Sequence, residues 1–124
     1  MSRYRHLGVR ERDGVIVVSF GDQWILDHAT VNAVRDELYS VATQPGCCHL
    51  LLNLAGVSFL SMEMLRKLPK LQRIMASKGG ELKLCDVEPE ALDVLAEARL
   101  SRTIDVHETE TDALKTFGCV VATA

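Results

Sequence analysis

The stretch that decides the fold is residues 49–74, HLLLNLAGVSFLSMEMLRKLPKLQRI. Four of its first six residues are apolar and follow a Gln44-Pro45-Gly46 turn, which is typical of a buried β-strand. Leu65, Leu68, Leu71 and Ile74 then recur at helical spacing and predict one face of a helix. In open α/β sheets, ligands and partners meet the chain where a strand ends and the next helix begins. We therefore expect the function to lie at residues 60–64, LSMEM.

Upstream of this stretch, the sequence predicts a hairpin and then a helix. Residues 7–10 and 15–20 are rich in β-formers and flank an Asp13-Gly14 turn signal. A short apolar segment at residues 23–26 comes next. Apolar residues then repeat at helical spacing at Val31, Val34, Leu38 and Val41, and Asp27 is placed to cap that helix.

Downstream, strand and helix patterns continue to alternate. Gly79-Gly80 ends the central helix, residues 81–85 predict a strand, and Pro89 fits the first turn of another helix. Residues 103–107 predict a short strand before a last helix with Gly118 at its C′ position. The order β-β-α-β-α-β-α-β-α predicts a single α/β domain over residues 1–124 with its core at about 7–118. We expect a mixed sheet with helices mainly on one side.

Composition narrows the class of protein. The 124 residues carry a formal net charge of −3 and a pI near 5.8, which gives no electrostatic footprint for nucleic acid. No apolar run approaches the length that spans a membrane, and none follows Arg3 and Arg5 as a signal peptide requires. We therefore expect a cytoplasmic protein that does not insert into a membrane.

Catalytic, metal and cofactor signatures are absent from the sequence. Four cysteines, Cys47, Cys48, Cys85 and Cys119, show no C-x-x-C spacing and predict reduced thiols. The histidines are His6, His28, His49 and His107, and their spacing matches no metal site, so at least three of them are expected to be satisfied structural histidines. No nucleophile and base pair or glycine-rich phosphate loop stands out. We expect no enzyme activity and no cofactor.

Several segments, in this order, resemble the STAS domain of anti-sigma factor antagonists. They are Leu26-Asp27-His28-x-Thr30, residues 52–60, Gly79-Gly80-Glu81-Leu82, and the acidic entry to a last helix ending at Phe117-Gly118. The resemblance implies a single-domain STAS fold and a non-enzymatic regulatory module that binds a protein partner. In that family, the strand-to-helix turn carries an Asp-Ser-Ser-Gly or Asp-Thr-Ser-Gly signature. A serine kinase that is also an anti-sigma factor phosphorylates the second hydroxyl residue of that signature.

This chain departs from the signature at all four positions. Ser61 stands in place of the aspartate, Met62 in place of the first hydroxyl residue, Glu63 at the phosphoacceptor and Met64 at the glycine. A carboxylate has no hydroxyl to esterify, so the switch has been lost, or it has moved to Ser58 or Ser61. Glu63 is either a first-turn acid favoured by the helix dipole or a partial mimic of the phosphorylated state.

Other residues of the predicted site also have two interpretations. Asp27 matches an acid that the family places near the phosphorylation site, or it only caps a helix. Met62 and Met64 either fill the core or contact a partner at the rim. Arg66, Lys67 and Lys70, with Arg73 and Lys78, form either a solvated basic face or a partner-binding face for an acidic partner. Pro69 either kinks the helix or places the start of its regular part near Leu68.

Two further classes remain beside the anti-sigma factor antagonist. The chain could be a stand-alone STAS accessory subunit of a membrane transporter, such as a lipid-transport ABC complex. An enzyme is the third class and has no supporting motif.

Overall fold

The computed structural model describes residues 4–100 and 103–117. Seven strands are present in these ranges: β1 (Leu7–Arg12), β2 (Val15–Phe20), β3 (Trp24–Ile25), β4 (Leu50–Asn53), β5 (Phe59–Leu60), β6 (Leu82–Cys85) and β7 (Asp105–His107). The α-helices there are α1 (His28–Ala42), α2 (Met62–Leu65), α3 (Leu68–Ser77), α4 (Pro89–Glu97) and α5 (Glu110–Leu114).

The main sheet has five strands in the order β1-β2-β4-β6-β7. β1 and β2 form the predicted antiparallel hairpin, with positive φ at both Asp13 and Gly14, as a tight hairpin turn requires. The remaining neighbours pair in parallel, so the sheet is mixed, as predicted. β4, which belongs to the stretch of residues 49–74, lies at the centre of the sheet.

Helices cover the two faces of the main sheet unequally. The larger core joins α1, α2, α3 and α4 to one face, where the buried residues include Val34, Leu38, Leu52, Leu71 and Leu95. Among the described helices, α5 is the one that packs on the opposite face, through Ala113 and Leu114 against Val17 and Leu51. The prediction that helices lie mainly on one side is therefore confirmed.

The end of α3 follows the glycine prediction closely. Gly79 has φ +76° at the C′ position and donates to the Ala76 carbonyl, while Gly80 donates to the Met75 carbonyl. This is a Schellman motif, which satisfies carbonyls that the helix itself leaves free. The C′ role expected for Gly118 and the thiol of Cys119 lie outside the described residues.

Two parts of the observed order differ from the prediction. The two-residue strands β3 and β5 pair in parallel as a small second sheet, which the sequence showed only as a short apolar segment. The single helix expected after Ser61 is divided into α2 and α3, with Pro69 in the first turn of α3. The second interpretation of Pro69 is thus confirmed, because proline has no N–H to donate and is tolerated where a helix begins.

The cysteines in the described ranges are free thiols. Cys47 and Cys85 are buried free thiols whose pKa is raised by burial, and Cys48 is an exposed free thiol. Within residues 4–100 and 103–117, no helix combines the length and the apolar character needed to cross a bilayer. The same ranges contain no group of three or more possible metal ligands.

Candidate functional site

The predicted functional turn lies between β5 and α2. Ser61 is the N-cap of α2 in extended backbone, and its Oγ accepts a hydrogen bond from the Met64 N–H at 3.1 Å. The Ser61 N–H donates to the Ile25 carbonyl at 3.0 Å, which ties the turn to β3. The side chain and the backbone of Ser61 therefore both fix the direction in which α2 leaves the sheet.

Glu63 occupies the first turn of α2 and contacts α1. Its Oε2 lies 2.6 Å from Nδ1 of His28, the first residue of α1. The Asn32 Nδ2 lies 2.9 Å from the other ring nitrogen, Nε2. Because an amide nitrogen only donates, Nε2 accepts, and the ring proton sits on Nδ1 facing the carboxylate. No local pattern in the sequence indicates this pair, since the two residues are 35 positions apart.

Asp27 caps α1 instead of contacting the turn through its side chain. Its carboxylate accepts from the Thr30 N–H at 2.9 Å. That backbone hydrogen bond is the main reason that the pKa of the Asp27 carboxyl lies below its usual value. The role of Asp27 as an acid that supports a phosphorylation site stays a prediction.

The two methionines of the turn have different environments. Met64 is only 3% exposed and belongs to the main core, so of its two interpretations core filling is confirmed. Its position in the turn directs it inward, where it helps to anchor α2. Met62 is half-buried and lines a groove of about 370 Å³ that runs between the start of α3 and the end of α4. Arg66 and Pro69 line the same side, and Glu97, Ala98 and Leu100 line the other.

The basic residues of this segment differ in their contacts, and a partner-binding face made of Arg66, Lys67 and Lys70 stays a prediction. Arg66 lies in the groove beside Met62, whereas the Lys70 ammonium lies 5.2 Å from the centre of the Tyr39 ring on α1. Lys67 is half-buried at the N-cap of α3. The break between α2 and α3 explains the separation, because Arg66 and Lys70 do not follow one regular helix.

Lys78 is wrongly placed by the sequence prediction. Its ammonium donates to the carbonyls of Ala42, Gln44 and Cys47 around the C-terminal end of α1. Lys78 therefore fixes the loop after α1 and is not part of a solvated basic face.

An exposed apolar surface adjoins the turn. Trp24 on β3 pairs in register with Phe59 on β5, and the two residues are 56% and 46% exposed. Leu26, which follows β3, is 51% exposed. We call these three residues the aromatic edge. The sequence indicates only a short apolar segment at residues 23–26, because a two-residue strand has no periodicity from which exposure can be predicted.

A polar cluster on the opposite face of the sheet attaches α5. Glu110, the first residue of α5, receives Nη1 and Nη2 of Arg10 at 2.8 and 2.5 Å and Nη1 of Arg12 at 2.5 Å. The Asn53 Nδ2 donates to the same carboxylate at 2.9 Å. These contacts, led by the Arg10 hydrogen bond, lower the pKa of Glu110 to about 2. The cluster joins α5 to β1 and β4 and is structural.

Known proteins resemble this chain in sequence and in fold. The anti-sigma F factor antagonist of Paenibacillus polymyxa is 28% identical over 101 residues, which are 82% of this chain and 85% of that protein. The structure of an anti-sigma-factor antagonist (STAS) domain protein from Planctomyces limnophilus matches with a TM-score of 0.78 at 21% identity, covering 88% of this chain and 94% of that chain.

The fold also occurs inside a much larger protein. The structure of the murine Solute Carrier 26 family member A9 anion transporter matches with a TM-score of 0.68 at 18% identity, covering 86% of this chain and 18% of that chain. The family model of the STAS domain matches residues 6–113, and the chain therefore belongs to the STAS domain family.

Proposed function

We propose that this STAS chain is a non-enzymatic regulatory module that binds a protein partner through the Ser61 turn and the aromatic edge. The partner class is an anti-sigma factor, or the serine kinase that also serves as one, acting in the cytoplasm. Glu63 replaces the usual phosphoacceptor, so the module works without a hydroxyl switch at that position. The observation that carries the proposal is the exposed pair of Trp24 and Phe59 beside the turn.

An exposed aromatic pair leaves a large apolar area in contact with water unless a partner covers it. Trp and Tyr are enriched among the residues that dominate binding energy, and apolar area removed from water stabilises a complex. Trp24 and Phe59 are held side by side by the β3 and β5 pairing, and their strand neighbours Ile25 and Leu60 are buried. The aromatic edge is therefore a fixed part of the surface and needs little ordering when a partner binds.

The groove beside α2 adds polar recognition to this surface. Met62 offers a half-buried apolar contact, and exposed Arg66 lies next to it. An acidic side chain of the partner would pair with Arg66 while an apolar group contacts Met62. Lys70, on the Tyr39 side of the same segment, has no place in that contact.

Affinity capture from the cells that express the chain, followed by surface plasmon resonance with the captured protein, tests the proposal. We expect Trp24→Ala and Phe59→Ala each to raise Kd about tenfold or more, mainly through faster dissociation. Val9→Ala is the matched control, because Val9 is 41% exposed on the outer strand β1, on the main sheet. An equal rise in Kd for Val9→Ala, or wild-type affinity for both aromatic variants, would show that the aromatic edge is not part of the interface.

A second pair of variants tests the groove. We expect Arg66→Glu to slow association and to change its salt dependence, since exposed interface charges act mainly on the association rate. Lys70→Glu makes the same charge change on the other side of α3 and should bind like the wild type. Met62→Ala should speed dissociation. If Lys70→Glu is the impaired variant, the partner sits over Tyr39 and the assigned surface is wrong.

The alternative function is a STAS accessory subunit of a membrane transporter, such as a lipid-transport ABC complex. The similar fold within the murine Slc26a9 anion transporter supports this alternative. Identification of the captured partner separates the two proposals. An ATPase or a membrane permease would favour the transporter subunit, and an anti-sigma factor or serine kinase would favour the first proposal.

A further inference from the structure

We propose that His28 is a phosphoacceptor, so that a ring nitrogen on α1 accepts the phosphoryl group that Glu63 cannot. The modification site is the His28 imidazole with the Glu63 carboxylate behind it. The phosphoryl donor is a nucleoside triphosphate bound to a partner kinase. The regulatory meaning of this site rests on the proposed function, whereas its chemical reactivity does not.

The geometry leaves Nε2 as the nucleophile. Glu63 Oε2 accepts a hydrogen bond from Nδ1–H at 2.6 Å, and the lone pair of Nε2 accepts a hydrogen bond from the Asn32 Nδ2 at 2.9 Å. The His28 side chain is 77% exposed, so a donor can approach once the Asn32 amide swings aside. The N–H groups of the Asn32 amide are then free to donate to an oxygen of the phosphoryl group.

The transfer balances without a base. The Nε2 lone pair attacks the terminal phosphorus, the Nε2–P bond forms, and the bond from that phosphorus to the bridging oxygen breaks, so that the nucleoside diphosphate leaves with those electrons. The ring becomes a cation with its proton still on Nδ1. The Glu63 carboxylate stabilises that developing positive charge through a charge-assisted hydrogen bond. A hydroxyl acceptor has to lose a proton in the same step, and the imidazole does not.

The other histidines provide comparisons within the same molecule. His6 makes an equivalent contact, with Nδ1 2.6 Å from Asp22 Oδ2, but its side chain is only 25% exposed. His49 is 8% exposed and packs edge-on against Phe117. His107 lies with Nε2 3.4 Å from the Thr116 hydroxyl and contacts no carboxylate among the described hydrogen bonds. Among these four, His28 alone combines a carboxylate at Nδ1 with an open approach to the ring.

A phosphoryl group at this position would change the proposed binding surface. It carries a charge of about −1.5 to −2 and three acceptor oxygens. His28 is separated from Leu26 of the aromatic edge by one residue and directly contacts Glu63 on α2. Modification would therefore place strong negative charge between the apolar contact and the Ser61 turn, which is a means of releasing a partner.

Chemical phosphorylation of the purified chain tests the site without a partner. We would use potassium phosphoramidate at neutral pH, map acid-labile phosphate by mass spectrometry, and assign the modified nitrogen by phosphorus NMR. We expect Nε2 of His28 to be labelled first. Glu63→Gln should slow this labelling about threefold to tenfold, since the amide keeps a hydrogen bond but loses the charge. Asp22→Asn, the same change beside His6, should leave the His28 rate unchanged.

Three results of this experiment would contradict the assignment of His28 as the phosphoacceptor. Labelling of His107 as fast as His28, attachment at Nδ1, or an unchanged rate in Glu63→Gln would each overturn the inference. These readouts use the chain alone, whereas the proposed function is judged by partner binding of the Trp24 and Phe59 variants. Either proposal can therefore fail while the other stands.

Discussion

Replacing Glu110 by glutamine should weaken the fold in a way that depends on pH. Glu110 is 9% exposed and its folded-state pKa is about 2, against an ordinary value of 4.5. A shift of that size corresponds to at most about 3.4 kcal/mol of stability. Because Arg10 and Arg12 are 48% and 44% exposed, solvent screening reduces the expected value to about 2 kcal/mol.

The direction of the pH effect follows from the lowered pKa. Above the ordinary value of 4.5, the carboxylate is charged in both the folded and the unfolded chain, and its full contribution is present. As the pH falls from 4.5 towards about 2, the unfolded chain takes up the proton first and the contribution disappears. Wild type and Glu110→Gln should therefore differ by about 2 kcal/mol at neutral pH and converge at the acid end of that range.

Urea unfolding followed by far-ultraviolet circular dichroism at a series of pH values measures this difference. Glu90→Gln is the matched control, because Glu90 is also a first-turn glutamate, on α4, but is exposed. Its free energy of unfolding should change by less than about 0.5 kcal/mol. A constant difference between wild type and Glu110→Gln across the acid range, or an equal loss for Glu90→Gln, would refute the assignment of this stability to the arginine contacts.

Three further outcomes are expected. Lys78→Met should lower the free energy of unfolding by about 2 kcal/mol in urea titrations, because the C-terminal end of α1 loses its ammonium donor. Gly80→Ala should unfold at a markedly lower temperature, since an added Cβ would overlap the Cys48 carbonyl, whereas Gly46→Ala, with open space around it, should melt like wild type. Treatment with ATP and a serine kinase of the anti-sigma class should add no acid-stable phosphate to wild type by intact mass, because a carboxylate forms no phosphate ester. The Glu63→Ser variant should accept one acid-stable phosphate, since Met64 is buried and leaves the turn open. Acid-stable phosphate on Ser61 of the wild type would show that the switch had moved.

Local sequence signals predicted much of the fold. The Asp13-Gly14 turn, the apolar run of β4 and the Gly79-Gly80 helix end each reflect a conformational preference of a few neighbouring residues. The start of α3 at Leu68 follows from proline chemistry in the same way. These features are readable because the cause and the effect lie within one turn or one strand.

The parts that sequence reasoning missed depend on distant contacts. The sequence indicates Glu110 only as a first-turn acid, yet its carboxylate accepts a hydrogen bond from Arg10, 100 positions away. Lys83 reads as the polar position of an alternating strand, but it is buried with its ammonium 3.0 Å from Asp105. The contact of His28 with Glu63 and that of Lys70 with the Tyr39 ring are further examples. They form only when α1 packs against α2 and α3.

The separation of α2 from α3 has a consequence for how such a chain diverges over time. α2 is a four-residue helix capped by Ser61, and Pro69 sets an independent start for α3. Outward substitutions at Met62, Glu63 or Arg66 can therefore accumulate without shifting the buried residues of α3. The groups that this tip presents to a partner can therefore change while the STAS fold is kept.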